Sequence, residues 1–319
     1  MVLVTGATGF IGSHLVELLD SYAIPYRCLV RRGSNTQHLP PPVLVYGDLA
    51  TGEGVEAAAE GADCVIHLAG VTKALRREDY YTGNAVATRN LVRVLCGSNT
   101  RFVHVSSLAA AGPSANGSPL NEDAVAAPVS DYGRSKLEAE QAARTVPGAV
   151  IVRPPVVYGP RDTDVFQLLR SIHRGLVLEI TGGARWFSAI FAPDLALGLL
   201  AAATHPAAAG RTYYLAHAEF LTWTSFSAAA AQIMNRSARV LRVPYPIARL
   251  AGWGGEVVSR LRGRPGIISR DKMTEARCTH WTCSPARAAA ELDFTATTPI
   301  TEGLRQTLTW YREAGWLAW

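Results

Sequence analysis

Cysteine is scarce in this chain of 319 residues, which has five, at positions 28, 64, 96, 278 and 283. Cys28 and Cys64 fall inside apolar runs that have the pattern of buried strands, so we expect reduced thiols rather than a disulfide framework. Cys278 and Cys283 flank His280, but no second ligand pair follows at a spacing typical of zinc sites. The cysteine pattern therefore predicts a cytoplasmic protein without a metal centre.

Long apolar runs and an excess of one charge are also missing. No uncharged apolar stretch reaches the length of a membrane span, and Met1 leads directly into a strand pattern instead of a signal peptide. Charged residues make up 18% of the chain, and the formal net charge is +5, from scattered basic residues. This balance favours an anionic small-molecule ligand over a nucleic-acid partner. We expect a soluble globular protein of one large or two smaller domains.

Glycine, in contrast, occurs with a regular spacing at the start of the chain. An apolar run over residues 2–4 precedes Gly6, Gly9 and Gly12, and a helical pattern follows. We interpret Gly6 as the tight turn, Gly9 as the point where a diphosphate approaches the backbone, and Gly12 as the contact between helix and strand. The helix N-terminus would then direct its N–H groups toward the diphosphate. The predicted dinucleotide site also includes the residues between these glycines, namely Thr8, Phe10 and Ile11.

Apolar runs alternate with helical patterns through the first half of the chain. Further strands are predicted over residues 26–30, 43–46, 63–70 and 102–107, with a helix over about 80–95. These runs are continuous rather than alternating, which is typical of parallel strands buried on both faces. The pattern predicts an α/β fold with a Rossmann-type doubly wound parallel sheet in residues 1–155. A smaller mixed C-terminal part, residues 156–319, would bind the substrate, with about 187–203 returning to the first domain.

The ends of the predicted strands should meet in one crevice, where such sheets bind ligands. An acidic residue at the end of the second strand usually selects NAD, but Arg31 and Arg32 stand there instead. Their charge and forked donors suit a 2′-phosphate, so we predict NADP(H), with NAD(H) as the alternative. Exposed arginines that contact only solvent are the other interpretation. The strand-end residues assigned to the cofactor, with Asp48 against the adenine, are Asp48, Leu49, Leu68, Ala69, Gly70, Val105 and Ser106.

Three residues between positions 107 and 136 have the chemistry for proton transfer at a carbonyl. Tyr132 and Lys136 lie four residues apart on a predicted helix and so share one face. A tyrosine acts as acid or base at neutral pH only if its pKa falls by roughly three units, which needs about 4 kcal/mol. The Lys136 ammonium and an oxidised nicotinamide would together lower the Tyr132 pKa. Ser107 would donate to the substrate oxygen beside Tyr132.

Taken together, these motifs resemble the extended short-chain dehydrogenases/reductases, the NAD(P)-dependent epimerase/dehydratase group. The resemblance spans nearly the whole chain and rests on residues 5–12, 68–70, 106–107 and 132–136. It implies Ser107, Tyr132 and Lys136 as catalytic residues, with Tyr132 and Lys136 also contacting the cofactor. It adds Asn84 to the cofactor site and places Pro154 to Val156 near the nicotinamide. It also implies a homodimer formed by two helices per subunit, about 80–95 and 132–144.

The chain departs from parts of that family in ways that concern its reaction. Leu108 and Ala109 follow Ser107 where sugar 4,6-dehydratases carry an acidic pair, so we expect no dehydratase activity. Val156 stands where sugar-nucleotide enzymes often have asparagine, which is more similar to ketone and steroid reductases. Three functions stay open: a reductase or dehydrogenase acting on a ketone or secondary alcohol, a nucleoside-diphosphate-sugar epimerase with retained cofactor, and a nonenzymatic dinucleotide-binding protein.

Two further segments have more than one interpretation. Lys73, Arg76 and Arg77 follow the fourth strand and either hold a phosphate or carboxylate of the substrate or form a solvated loop. Residues 245–261 mix apolar residues with arginines and predict a helix that covers the pocket, or else one that touches a membrane. A last helix is predicted over residues 301–319, packed against the body of the protein by its tryptophans.

Overall fold

The computed structural model of the protein describes residues 1–266 and 269–318. Within these residues, seven strands form a sheet in the order β10-β6-β5-β4-β1-β2-β3, and every adjacent pair is parallel. The strand order reverses between β1 and β4, which is where doubly wound sheets bind their ligands. The Rossmann-type α/β fold is confirmed. Its strands are β1 (Val2–Thr5), β2 (Tyr26–Val30), β3 (Leu44–Tyr46), β4 (Cys64–His67), β5 (Arg101–Val105), β6 (Val150–Val152) and β10 (Thr212–Tyr213).

Helices cover both faces of this sheet. Their bounds are α1 (Phe10–Ser21), α2 (Val55–Ala59), α3 (Arg77–Tyr81), α4 (Ala87–Leu95), α5 (Leu108–Ala111), α6 (Asp131–Ala143) and α8 (Ala192–Thr204). On one face, Val4 and Ile66 belong to a buried cluster with residues of α1 and α8. On the other face, Leu3 and Val65 pack with residues of α2, α4 and α6. Adjacent residues of each strand therefore enter opposite cores, which explains the continuous apolar runs.

The remaining elements lie outside this sheet, and those around β9 enclose a second core. The strands among these elements are β7 (Val156–Tyr158), β8 (Leu176–Ile180), β9 (Trp186–Phe191), β11 (Phe220–Thr222), β12 (Arg239–Val243) and β13 (His280–Trp281). The helices among them are α7 (Asp164–His173), α9 (Trp223–Ile233), α10 (Tyr245–Arg262), α11 (Arg270–Arg277), α12 (Ala286–Leu292) and α13 (Ile300–Glu313). Strand β9 pairs with β7, β11 and β13, while β8 pairs with β12. Aromatic residues fill the cluster between them, among them Phe187, Phe226 and Tyr311.

Several predicted elements have different limits in the structure. The helix predicted over 80–95 is interrupted by a π-helical segment, Thr82–Val86, between α3 and α4. The last helix ends at Glu313 rather than continuing to 319, because Gly315 adopts a left-handed conformation with φ of 72°. Trp319, the last residue of that prediction, lies outside the described residues. The short strand β10 comes from the second half of the chain but pairs with β6 at the edge of the main sheet.

No helix in residues 1–266 or 269–318 is long and apolar enough to cross a bilayer. Short 3-10 turns at Pro41–Val43 and Pro206–Ala208 complete the described secondary structure. The buried state of Cys28 and Cys64 agrees with their predicted place in strands, and both thiols are free.

Candidate active site

The glycine-rich turn between β1 and α1 is too tight for side chains. Gly6 has a φ of +75°, and a Cβ added there would lie 2.6 Å from the backbone nitrogen of Ala69. A Cβ on Gly12 would lie 2.2 Å from the Gly6 carbonyl oxygen. Among the described residues, no side chain caps the N-terminus of α1 at Gly9. A diphosphate at this position would accept the N–H hydrogen bonds that a capping side chain accepts in other helices, so the turn fits a dinucleotide.

The ends of β2 and β3 form a separate polar cleft of about 400 Å³, lined by Arg31, Arg32, Asp48 and Glu53 among others. Both arginines are exposed, and the guanidinium of Arg32 lies 5.6 Å from the centre of the Tyr46 ring. One oxygen of the Asp48 carboxylate accepts a hydrogen bond from the Ala50 N–H at 2.8 Å, which fixes that side chain at the strand end. The cleft thus has donors for a phosphate and a carboxylate for an adenosine.

The three predicted catalytic residues come together where β5 ends and α6 begins. Ser107 begins α5, and its oxygen accepts the Ala109 N–H at 3.1 Å while its side chain also hydrogen-bonds Tyr132. The Lys136 ammonium donates to the Val105 carbonyl at 2.8 Å. Burial lowers the pKa of Lys136 to about 8. The serine and tyrosine hydroxyls are therefore adjacent, and the end of β5 holds the lysine ammonium.

Asn84 links this group to the loop after β4. Its side chain exchanges hydrogen bonds with the backbone of Val71 at 2.8 and 3.0 Å and donates to Ser135 at 2.8 Å. It lies in the π-helical segment, a geometry that is frequent at functional sites. A Cβ on Gly70 would lie 2.9 Å from the Asn84 amide oxygen and 3.6 Å from the Lys136 nitrogen. The loop after β4 and the catalytic helix are thus in close contact.

The other predicted site residues occupy different positions around this group. The Pro154 carbonyl accepts the Leu108 N–H at 2.9 Å, which holds the segment after β6 against the helix that Ser107 begins. Val156 lies in β7 and pairs with Ala189 of β9. Leu49 is buried within the core cluster that contains α2 and α4, and its carbonyl accepts a hydrogen bond from the Asn90 side chain at 2.8 Å.

A buried ion pair lies between helix α6 and the segment after β6. Arg153 donates to both oxygens of Glu140 at 2.8 and 2.7 Å, and Ser106 donates to Glu140 at 2.5 Å. Burial alone would lower the Arg153 pKa, but contact with Glu140 raises it well above its usual range. Glu140 lies on α6 one turn after Lys136, so this network ties α6 to the ends of β5 and β6.

Helix α11 contributes a group to the site that the sequence reasoning missed. The Lys272 ammonium lies 5.4 Å from the centre of the Tyr132 ring and 2.8 Å from a Glu275 oxygen. The Asp271 carboxylate accepts the N–H groups of Asp131 and Tyr132 at 2.7 and 3.2 Å. Helix α11 therefore caps the N-terminus of the catalytic helix and brings a second lysine to the tyrosine.

The pKa of Tyr132 is raised in this structure, whereas the sequence analysis expects it to fall toward neutrality. Burial raises it, while the hydrogen bond from Ser107 and the charge of Lys272 act in the lowering direction. The cation that acts on the phenol in this structure is thus Lys272, whereas Lys136 is held by the Val105 carbonyl. Lys272 keeps its charge because Glu275 outweighs the effect of burial and raises the Lys272 pKa.

The basic residues after β4 all have carboxylate partners. Lys73 forms an ion pair with Asp164 at the start of α7. Arg76 pairs with Asp79 at 3.2 Å, and Arg77 lies 3.4 Å from Asp131. These contacts account for the three side chains without a substrate phosphate. In the part of the chain that the structure describes, no group of three or more His, Cys, Asp or Glu could hold a metal ion.

Comparisons with known proteins agree with this geometry. A model of the NAD dependent epimerase/dehydratase family matches residues 2–216. The ceramide reductase of Caulobacter vibrioides is 33% identical over 99% of this chain and 96% of its own. The N-acetyl-alpha-D-glucosaminyl-diphospho-ditrans,octacis-undecaprenol 4-epimerase of Escherichia coli O157:H7 is 26% identical over 96% and 94%. The UDP-glucuronic acid 4-epimerase of Bacillus cereus, solved with NAD, superimposes with a TM-score of 0.79 at 19% identity, over 98% of this chain and 99% of that one.

The protein belongs to the NAD dependent epimerase/dehydratase family. The predicted resemblance to extended short-chain dehydrogenases/reductases is therefore confirmed, and the chain is an enzyme rather than a nonenzymatic dinucleotide-binding protein. Its relatives include both reductases and epimerases.

Among the residues missed by the sequence reasoning, those of α11 have no local signal. Asp271 lies 139 positions after Tyr132, in a segment with no motif of its own. Glu140 was not among the predicted site residues, although its carboxylate accepts the buried hydrogen bonds of Arg153 and Ser106. The available signal for that pair was a carboxylate more than two turns into α6, Glu140, followed by an arginine directly after β6, Arg153.

Proposed function

We propose that the protein transfers a hydride between a nicotinamide cofactor and a ketone or secondary alcohol, with Tyr132 as the acid/base. The observation that carries this proposal is the hydrogen-bonded pair of Ser107 and Tyr132 beside the buried Lys136. This pair matches what a carbonyl reduction needs, because the alkoxide oxygen must be held and protonated as it forms.

Each residue has a separate task in the proposed reaction. The nicotinamide supplies the hydride for reduction and accepts it for oxidation. The Ser107 oxygen accepts the Ala109 N–H, and its hydroxyl proton, which interacts with Tyr132 in this structure, would be donated to the substrate oxygen once a substrate is bound. Tyr132 gives its proton to that oxygen in reduction and takes it back in oxidation. Lys272 favours the phenolate by charge, and an oxidised nicotinamide would add a second positive charge.

The proposed cofactor is NADP(H), held by the turn at Gly6, Gly9 and Gly12 and by the arginines after β2. Arg31 and Arg32 line the cleft at the adenosine end, where a 2′-phosphate would meet two guanidinium groups. NAD(H) is the alternative, because Asp48 and Glu53 line the same cleft and a carboxylate can accept from a ribose hydroxyl.

The proposed substrate class is an alcohol or ketone on a lipid. The Caulobacter relative is named a ceramide reductase, and the Escherichia coli relative acts on an undecaprenol-linked sugar. The second relative also makes an epimerase the second candidate function, in which the cofactor is retained through an oxidation and a reduction. We further propose a homodimer formed through α4 and α6, as in related enzymes, which light scattering of the purified protein would test.

A turnover assay separates these functions. Purified enzyme with NADP+ is given ceramide in detergent micelles, and separately UDP-galactose without added cofactor. Net formation of NADPH with ceramide, absent in Tyr132→Phe, is the expected result. Interconversion of the sugar without net cofactor reduction, and no turnover of ceramide, would overturn the reductase proposal in favour of an epimerase.

A further inference from the structure

Helix α10 carries its large apolar side chains on the solvent side. Leu250 is 66% exposed, Trp253 57% and Leu261 83%. Exposed apolar side chains are common singly, but a contiguous row of them on one element marks an interaction site. The full row consists of Ile247, Leu250, Trp253, Val257, Val258 and Leu261.

The geometry of the helix places this row on one face. At 100° per residue, the six side chains fall within an arc of about 140°, from Trp253 to Val258. The side turned toward the protein has small residues instead, namely Ala248, Gly252 and Ser259. A Cβ on Gly252 would lie 2.7 Å from the Met273 side chain, so α10 and α11 are in close contact there. The usual arrangement of a surface helix, with apolar residues inward, is reversed in α10.

Arginines border the apolar row on both sides. Arg249 and Arg260 lie on one edge of the row and Arg262 on the other, and all three are exposed. Residues 239–264 contain six arginines and one carboxylate, Glu256. Glu256 is paired with Arg270 of α11 at 2.8 Å, so it does not offset the charge of the outer face.

We propose that α10 binds to the surface of a bilayer that contains anionic lipids. Its apolar row would enter the boundary between head groups and acyl chains, and its arginines would contact lipid phosphates. A second copy of this chain fits the face less well, because a symmetric pairing would bring arginines against arginines. The binding requires no step of the reaction and so stands apart from the proposed function.

A single helix, α11, separates the apolar row of α10 from Tyr132. Helix α10 packs on α11 through Gly252 and through the Glu256–Arg270 ion pair. Helix α11 in turn brings Lys272 to the Tyr132 ring and binds the start of α6 through Asp271. A membrane-bound α10 would therefore hold the active site close to the bilayer, where a lipid substrate resides.

Vesicle flotation of the full chain tests the proposal. The probes are vesicles of phosphatidylcholine alone and of phosphatidylcholine with phosphatidylglycerol. The variant with Leu250→Ser, Trp253→Ser and Leu261→Ser removes exposed side chains only, so it should fold. The matched control is Tyr22→Ser with Val125→Ser, whose side chains are 57% and 92% exposed elsewhere on the surface. A third variant replaces Arg249, Arg260 and Arg262 by glutamine.

The wild type and the control should float with the anionic vesicles, and the apolar variant should bind at least about 100-fold more weakly. The arginine variant should lose its preference for phosphatidylglycerol, and added salt should weaken wild-type binding. Equal binding of the wild type and the apolar variant would overturn the proposal. So would a failure of the wild type to bind anionic vesicles, or a wild-type dimer that the apolar variant converts to a monomer.

Discussion

The Lys272 ammonium lies 5.4 Å from the centre of the Tyr132 ring, although the two residues belong to separate helices far apart in the chain. Glu275 holds the lysine at 2.8 Å, and Asp271 binds the backbone N–H groups at the start of the tyrosine's helix. Helix α11 thereby fixes both the position of Tyr132 and the charge beside it. Lys136 lies one turn further along α6, but its ammonium donates to the Val105 carbonyl.

The pH dependence of the reaction should therefore respond to Lys272. In the oxidation direction Tyr132 must be deprotonated, so activity rises as pH passes its pKa. Lys272→Met removes a positive charge that lowers this pKa. The rising limb of the pH profile, the range over which activity increases, should therefore move to higher pH by about one unit. The measurement is the pH profile of kcat/KM for alcohol oxidation.

Two variants separate this charge effect from a disturbance of α11. Lys272→Arg retains the charge and should restore the limb close to its wild-type position. Arg270→Met changes a residue on the same helix that pairs with Glu256 instead, and it should leave the limb in place. A limb that does not move in Lys272→Met would show that the lysine only supports the structure.

Cofactor preference should depend on Arg31. If this guanidinium contacts the 2′-phosphate, Arg31→Ala should reduce the preference for NADP(H) over NAD(H) by roughly ten- to a hundredfold, because a charge-assisted contact contributes about 1.5–3 kcal/mol. Titration of both cofactors against both proteins measures it. Arg27→Ala is the control, since Arg27 lies on the same strand with its side chain near the carbonyls of Ala57 and Ala58. Equal wild-type affinities for the two cofactors would exclude a role for Arg31 in selection.

The sequence predicted the cofactor end of the molecule because its signals are local. A Cβ on Gly12 would meet Gly6 and Ala7, Gly6 has a positive φ in a tight turn, and β1 and β4 appear as apolar runs in the chain. Lys272 could not be predicted, because its contact with Tyr132 depends on the packing of α11 against α6. The apolar and basic pattern of α10 predicted an amphipathic helix but not which side faces the protein. That orientation is decided by the close contact of Gly252 with Met273.

A buried histidine next to the site should contribute to acid lability. His104 is fully buried and, among the described residues, neither ring nitrogen has a hydrogen-bond partner. Burial and the charge of Lys136 hold its pKa well below the usual range. The unfolded chain then binds a proton below about pH 6.5 that the folded chain does not, so stability is lost as pH falls. One such group costs about 2 kcal/mol between about pH 7 and about pH 5.

Replacing this histidine should flatten the pH dependence of stability. His104→Phe removes the titrating group, so the fall in unfolding free energy between neutral pH and pH 5 should be smaller by about 2 kcal/mol. His67→Phe is the comparison, because His67 is also buried but is hydrogen-bonded by Thr5 at 2.7 Å and Thr88 at 3.0 Å. It should flatten the slope too, but lose stability at neutral pH. The measurement is denaturant unfolding at several pH values. An unchanged dependence of the unfolding free energy on pH in His104→Phe would show that His104 does not cause the loss of stability in acid.

The proton transfer itself is tested on two neighbouring tyrosines. The rings of Tyr80 and Tyr132 lie 6.1 Å apart, with Tyr80 buried and Tyr132 partly buried. Tyr132, unlike Tyr80, hydrogen-bonds Ser107 and is followed by a lysine one turn later in its helix, so Tyr132→Phe should lose about 10²–10⁴ in kcat. Tyr80→Phe, the matched control, should retain most of the rate because burial holds its pKa at about 12, away from any proton exchange at neutral pH. Cofactor affinity should change little in either variant, whereas Lys136→Ala should lose both rate and affinity. If Tyr132→Phe retains more than about a tenth of the wild-type rate, the proton must come from another donor.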